Sequence, residues 1–522
     1  MSGRETISVD PITRIEGHLK VEVVADNGEV KEARCSGQLF RGFELMLLNR
    51  DPRDASLLSQ RVCGVCPVAH AMASALCLDA CFGIDGRVPD NGRVMRNLVL
   101  GANFLQSHIL HFYHLAALDF VDVTAGADYE GADDRLGSLR DFIKRGELAP
   151  FMPRYEGDYR LSKEANQQAA SHYVQALEAR RAAHEMLSVF GGKMPHQVGI
   201  VVGGCTETPT ADKIAAFLSR LEMLRRFIEG IYIPDVLTVA EAYGDYFEIG
   251  GGVKRWLSYG GLELETEETN LVARERFFPS GRVGADLKPA ALDVGRIAEH
   301  VRHSWYADES SGRHPSKGET VPAPGKESGY SWIKAPRYEG EPYEVGPLAR
   351  LLVAYARGDR GARGEVEGVL SRLDAKPEAL FSVLGRHAAR ALEAKRVAEA
   401  MVGWAMELRP GEPVCEWREP PEAGRGMGVT EAPRGSVGHW AEIEGGKLVR
   451  YQLVVPTTWN ASPQDDEGKP GPMEQALVGT RIRDAENPFE VVRIVRSFDP
   501  CLACSVHMLT PKGQELARCR VL

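Results

Sequence analysis

The chain has 522 residues, 43% of them hydrophobic and 26% charged, ordinary values for a globular protein long enough to bury a large core. Its net charge of −10 argues against a nucleic-acid partner and against docking on anionic lipid. Ten cysteines are too few for a disulfide scaffold.

The opening MSGRETISVD lacks a basic segment followed by an apolar run, so no signal peptide is expected. Residues 18–37 alternate apolar and polar positions around Asn27-Gly28, which predicts a β-hairpin because both turn residues tolerate positive φ. Cys77 and Cys81, four apart in an apolar helix-like stretch, read as small buried hydrophobes. The stretch from Arg93 to Val121 is apolar nearly all round and predicts a helix inside a large core. Residues 162–190, 210–230 and 364–407 have helical periodicity, with Thr210 as the N-cap of the second. Residues 306–330 are rich in Pro, Gly, Ser and charge and read as a surface loop. Residues 409–428 are similar, but Cys415 and Trp417 suggest packing there. Residues 439–456 predict a second hairpin, turning near Gly445-Gly446. No apolar run approaches the roughly 18–20 residues that cross a bilayer, so direct membrane insertion is not expected. The fold class is therefore α+β and mainly helical, a central bundle of long helices with β-hairpins near the two ends.

RVCGVCPVAH (61–70) and DPCLACSVH (499–507) each hold a C-x-x-C pair followed by a histidine. Four thiolates can hold a soft metal. A structural zinc site, an iron–sulfur or other transition-metal site, and redox disulfides all remain open on spacing alone. Zinc ribbons, however, typically separate their pairs by about 15–20 residues, whereas these pairs lie near opposite ends of the chain. The fold must bring those ends together at the base of the helices.

The motifs around the pairs go further. R-x-C-G-x-C-x-x-x-H with D-P-C-x-x-C-x-x-H resembles the large, catalytic subunit of uptake-type nickel–iron hydrogenases. DPITRIEGHLKVEV (10–23), RGFE and NRDPRDA (41–55), HFYHLAALDFVDV (111–123), EAPRGSVGHW (431–440) and YQLVVPTTWN (451–460) extend the resemblance nearly end to end.

The resemblance implies a Ni–Fe centre whose iron carries carbon monoxide and cyanide. Cys63 and Cys501 would be terminal nickel ligands, and Cys66 and Cys504 would bridge the metals. The implied reaction is the reversible heterolytic cleavage of dihydrogen to protons and electrons. Cys501 is the favoured proton acceptor over Arg434, because a guanidinium stays protonated. Arg434 then positions electrostatically. Glu16 is the candidate relay, since a partly buried carboxylate has a raised pKa. Thr457 and the backbone at Pro433 and Arg434 are expected to serve cyanide ligands, and His70 to donate to a cysteine sulfur. His108, His111 and His114, at three-residue steps, read as core histidines rather than ligands. Glu44, His507 and the carbonyl of Leu453 are the expected ligands of a separate magnesium ion. One departure stands out. Many members have an aspartate where this chain has Ser107, which leaves Asp499 alone to pair with Arg434.

The resemblance also implies one domain over 1–507 and a C-terminal extension, 508–522, removed by a maturation protease. No remaining cysteines resemble a cluster motif, so an iron–sulfur small subunit is the expected partner. That subunit would place the chain in the periplasm or at the membrane; a cytoplasmic location is the alternative. Competing readings are a hydrogen-sensing regulatory hydrogenase, a non-catalytic relative in respiratory complex I, and a binding module with structural zinc. The complete set of four cysteines disfavours the complex I relative. The tail disfavours the sensor.

Overall fold

The computed structural model describes residues 3–502; Cys504, His507 and the extension 508–522 lie outside the described residues. Strands β1 (Arg4–Val9), β2 (Leu19–Asp26) and β3 (Glu29–Gly37) form an antiparallel sheet in that order. The expected hairpin is β2–β3, and Asn27 and Gly28 take φ values of 50° and 77° at its turn. β1 is additional. Only Ile7 of it is buried, so its sequence carries no apolar alternation.

The long helices are α1 (Pro67–Cys81), α2 (Asp90–Leu110), α3 (Lys163–Gly191), α4 (Ala211–Phe227) and α5 (Val383–Glu407). All side chains from Asn91 to Ile109 of α2 are buried, as its all-round apolarity predicts. Two expectations change. The periodicity over 364–407 belongs to two helices, Arg360–Arg372 and α5, because Pro377 lies between them and cannot extend a helical ladder. Thr210 stands at the N-cap of α4, but its hydroxyl donates to Asp212 at 2.5 Å instead of capping the helix.

β4 (Ala423–Ala432), β5 (Gly435–Glu444) and β6 (Lys447–Val454) form a second antiparallel sheet. β5–β6 is the expected hairpin, with Gly445 and Gly446 at φ 57° and 70°. β4 takes up part of the region read as a loop, and Trp417 is 67% exposed rather than packed. Glycines alternate along β4 for a steric reason. A Cβ on Gly426 would stand 2.0 Å from the carbonyl oxygen of Cys77, and one on Gly428 would stand 1.9 Å from that of Ala73. α1 therefore lies directly on the backbone of β4, which joins the N-terminal cysteine segment to the C-terminal sheet.

The last described helix, α6 (Phe489–Ser497), is held by charge. Arg496 pairs with buried Asp119 and donates to the Thr13 carbonyl at 3.0 Å, while Arg14 reaches the same carboxylate at 2.6 Å. One anion thus ties residues 13–14 to the helix that leads into Cys501. No helix among the described residues is long and apolar enough to cross a membrane.

Two predictions follow from this packing. Gly428→Ala is expected to cost about 3 kcal/mol or more, since its clash is with backbone. Gly403→Ala, with open space around it in α5, should gain up to about 1 kcal/mol; melting temperatures of the two variants check the contrast. The second concerns Glu474, fully buried where it accepts from the Cys35 amide at 2.9 Å and Tyr330 Oη at 2.8 Å. Burial pushes its carboxyl up to about 7 from an ordinary 4.5, against these donors, which hold it down. The folded state therefore binds more protons between those values. The stability this gives is full below 4.5 and is lost as pH rises through 7, by about 3 kcal/mol. The melting temperature of Glu474→Gln, relative to the parent, should rise across that window; a pH-independent difference would contradict the assignment.

Candidate metal centre

The first cysteine pair sits where a helix starts. Cys66 occupies the N-cap of α1, and Pro67 at its first position is pre-set for helical φ. The loop is pinned from three sides. Asn103 and Gln106 of α2 donate to the Val65 carbonyl at 2.9 and 2.6 Å. Arg41 donates to the carbonyls of Val62 and Arg61 at 2.8 and 2.6 Å. The amides of Val65 and Cys66 point at Cys63 Sγ from 3.2 and 3.3 Å, an arrangement an anionic sulfur accepts.

The C-terminal segment arrives as a short parallel bridge between Cys501 and Glu16. The Leu502 amide donates to the Glu16 carbonyl at 2.6 Å, and the Cys501 amide donates to Thr457 Oγ1 at 2.9 Å. Thr457 thereby keeps its own proton available for donation. The result is that Cys63 Sγ and Cys501 Sγ lie 3.3 Å apart. The sulfurs of Cys63, Cys66 and Cys501 all fall within 4.8 Å of one another in a buried cluster. Two sulfurs bound to one ion at about 2.3 Å lie at most about 4.6 Å apart; Cys63 and Cys501, at 3.3 Å, meet that limit, so this pair fits one soft metal with Cys66 close by. Cys504, the fourth expected ligand, lies outside the described residues. The half-buried carboxylate of Glu16 stands 3.2 Å from Cys501 Sγ.

Arg434 is buried beside this cluster. Its Nε donates to the Asp499 carbonyl at 3.0 Å, and Nη1 meets Ser107 Oγ at 3.5 Å. Nη2 lies 3.0 Å from Asp499 Oδ1, close enough for an ion pair but not aligned as a hydrogen bond. Burial opposes the charge of Arg434, but Asp499 and the three sulfurs outweigh it and hold the guanidinium protonated. Asp499 itself adopts φ 56°, a left-handed conformation that aspartate tolerates better than most residues.

The loop carrying Pro433 and Arg434 depends on residues the sequence reading missed. Arg350 donates to the carbonyls of Ala432 and Pro433, both at 2.9 Å, and is paired with Glu393 at 2.6 Å and Glu431 at 2.5 Å. Glu393 is held down at about 2 despite its burial, by Arg350 and His108. A buried arginine between two acids leaves no local sequence signal, because its partners are remote in the chain.

His108 Nε2 meets Glu393 at 2.8 Å, His111 Nε2 the Arg496 carbonyl at 2.7 Å, and His114 Nε2 the Tyr173 carbonyl at 3.3 Å. They are partnered core histidines, not a metal triad. His70 Nδ1 faces His439 Nε2 at 3.3 Å, and no hydrogen bond from His70 to a sulfur occurs among the described residues.

Glu44 is buried, not solvent-facing. Its Oε1 accepts from the Leu453 amide at 2.9 Å, its Oε2 from Thr320, and Lys334 Nζ lies 3.7 Å away. In an extended strand the amide and carbonyl of one residue point to the same edge. The Leu453 carbonyl therefore also faces the Glu44 side of edge strand β6. His507 lies outside the described residues.

Comparisons with known proteins identify the family. A family model described as nickel-dependent hydrogenase matches residues 41–507, and a second, described as HoxL-like, matches 6–36. The periplasmic NiFeSe hydrogenase large subunit of Desulfomicrobium baculatum is 41% identical over 98% of this chain and 97% of its own. The uptake hydrogenase large subunit of Rhizobium leguminosarum bv. viciae is 37% identical over 100% and 98%. The solved Ni-Fe-Se hydrogenase of D. vulgaris Hildenborough in the reduced state superposes with a TM-score of 0.86 at 44% identity, covering 97% of this chain and 100% of that one. A buried cluster of cysteine sulfurs, set in a fold shared over nearly its whole length with such enzymes, makes this chain a member of the nickel-dependent hydrogenase family, a large subunit and an oxidoreductase acting on dihydrogen.

Proposed function

We propose that the chain cleaves dihydrogen heterolytically and reversibly at a Ni–Fe centre held by Cys63, Cys66, Cys501 and Cys504. The observation that carries this is the contact of Cys63 and Cys501 sulfurs at 3.3 Å, with the Glu16 carboxylate 3.2 Å from Cys501. All four proposed donors are cysteines in this sequence, so the centre contains sulfur rather than the selenium in several relatives' names. When bound, the centre, with carbon monoxide and cyanide on its iron, supplies Lewis acidity and two-electron redox chemistry.

The protein's own groups handle the proton. Cys501 Sγ accepts it and passes it to Glu16 Oε2, the adjacent carboxylate, which relays it outward. Arg434 stays protonated and acts as an electrostatic positioner, anchored by Asp499. The Thr457 hydroxyl and the backbone amide of Arg434 donate to the cyanide ligands, while Pro433, which has no N–H, shapes the pocket around them. His70 donates to a cysteine sulfur. Glu44, the Leu453 carbonyl and His507 hold magnesium, which braces the C-terminal segment. Oxygen donors at an edge strand suit such a hard ion.

Electrons leave through an iron–sulfur small subunit, because the remaining cysteines are dispersed and form no cluster motif. The relatives named periplasmic and uptake hydrogenases support a periplasmic or membrane-associated location reached through that partner. Residues 508–522 form an extension that a maturation protease removes once the metal is in place.

Metal analysis and infrared spectra of the purified heterodimer test the core reading. One nickel per heterodimer, iron in excess of it because the partner's clusters contribute iron, and carbon monoxide and cyanide bands are expected; zinc in place of nickel, with no such bands, would sink it. Glu16→Gln should cut hydrogen oxidation by about 100-fold or more while leaving metal content and those bands unchanged; loss of metal instead would reassign Glu16 to assembly. Arg434→Lys should lower kcat by about 100-fold with little change in KM, since a lysine cannot reproduce the planar fork. Full activity in that variant would remove Arg434 from the mechanism.

A further inference from the structure

Behind His70 of α1 runs a line of polar groups that the proposed mechanism does not use. His70 Nδ1 lies 3.3 Å from His439 Nε2, and His439 Nδ1 lies 2.8 Å from Tyr451 Oη. Tyr451 Oη lies 2.8 Å from Ser74 Oγ, a pair in which either hydroxyl can donate. The chain thus crosses from α1 to β5, to β6, and back to α1. All four side chains are buried. His439, Tyr451 and Ser74 make no other side-chain hydrogen bonds among the described residues.

These constraints set a direction. The usual acceptor for a serine inside a helix is the carbonyl four residues back. Here that is the His70 carbonyl, and Ser59 Oγ approaches it, at 3.4 Å, while Ser74 does not. The Ser74 proton is satisfied only by donating to Tyr451 Oη. Tyr451 must then give its own proton to His439 Nδ1. Burial pushes His439 well below the ordinary histidine range, and nearby His70 adds to the effect, so the ring is uncharged with its single proton on Nε2. That proton goes to His70 Nδ1. The reverse order strands the Ser74 proton in a site closed to solvent, and buried polar hydrogens are rarely left so.

We infer that Ser74, Tyr451 and His439 form a one-way hydrogen-bond chain that fixes His70 in its Nε2–H tautomer, a donor on its far side. His439 and Tyr451 are positioning residues: they act through His70, much as outer hydrogen bonds set the tautomer of histidines at metal sites. The inference deepens, and rests on, the proposed donation from His70 to a cysteine sulfur.

Neutron diffraction from deuterium-exchanged crystals of the loaded heterodimer tests it without reference to turnover. Deuterium is expected on Nε2 of both His439 and His70, with none on His439 Nδ1. Deuterium on His439 Nδ1 overturns the chain. If the expected pattern is present but the His70 deuterium points at no sulfur, the chain stands and the donor role of His70 falls. Two variants read the same property in solution. Ser74→Ala leaves Tyr451 its acceptor on His439, so the infrared bands of the iron ligands should stay where they are. Tyr451→Phe frees His439 to take either tautomer and should shift those bands at unchanged metal content. Unshifted bands in Tyr451→Phe, or equal shifts in both variants, would defeat the assignment.

Discussion

One short parallel bridge, Glu16 against Cys501, decides which atoms face each other at the centre. The two residues are separated by 485 positions. Closing a loop of that length costs about 5 kcal/mol of chain entropy, a penalty that grows only logarithmically with length. The Leu502–Glu16 backbone hydrogen bond and the Cys501 amide's bond to Thr457 cannot offset it. The compensation comes from elsewhere: α1 lying on the glycine strip of β4, and Asp119 binding arginines from both ends of the chain. The bridge sets register, and the surrounding packing supplies the stability.

The ionic part of that packing specifies more than it stabilises. Arg493 is fully buried, paired with Asp158, and ringed by Phe120, Tyr155, Tyr243, Tyr246 and Phe489 with centroids 4.7–5.6 Å away. Desolvating such a pair costs about as much as the pairing returns. What the pair does provide is geometric uniqueness. A leucine in its place would pack in several ways, whereas a guanidinium facing one carboxylate and five rings has a single good orientation. α6 is thereby held in one rotation, which sets the direction of the chain entering Asp499 and Cys501 just beyond its end at Ser497.

Local signals made much of this legible. Both hairpins announce themselves through Asn27-Gly28 and Gly445-Gly446, since positive φ is a property of the residues themselves. α2 is legible because it is buried on every side. Cys63, Cys66, Cys501 and Glu16 stand out because the motifs around them resemble a known family; the spacing of the cysteine pairs by itself leaves zinc and redox readings open. What escapes is whatever depends on contacts remote in sequence. β4 reads as a loop because its glycines serve closeness to α1 rather than strand propensity. The break before α5 is masked by good helix formers on both sides of Pro377. Arg350, Asp119, His439 and Tyr451 look like ordinary core or surface residues until the fold brings up Glu431, Arg496, His70 and Ser74, partners 81 to 377 positions away.

Ser107 shows how far one such position can reach. With serine there, Asp499 is the only carboxylate within ion-pair distance of Arg434 among the described residues. Nearby Arg390 is also buried. It donates to the carbonyls of Ser497 and Arg386, and no carboxylate lies within ion-pair distance of it among the described residues. Burial pulls its pKa down, Asp499 and Tyr232 oppose that, and Arg434 adds to it. Asp499 is thus the ion-pair partner of Arg434 and only a more distant counter-charge for Arg390. The charge of Arg434 persists because the sulfurs of Cys501, Cys66 and Cys63 favour it along with Asp499. The sulfurs thus act with Asp499 as counter-charge to the guanidinium. Where an acid is missing at position 107, the cysteine cluster carries part of the counter-charge. The arginine and the sulfurs then behave as one electrostatic unit, and a neutral replacement at any of the sulfur positions weakens the anchoring of Arg434 as well as the grip on the metal.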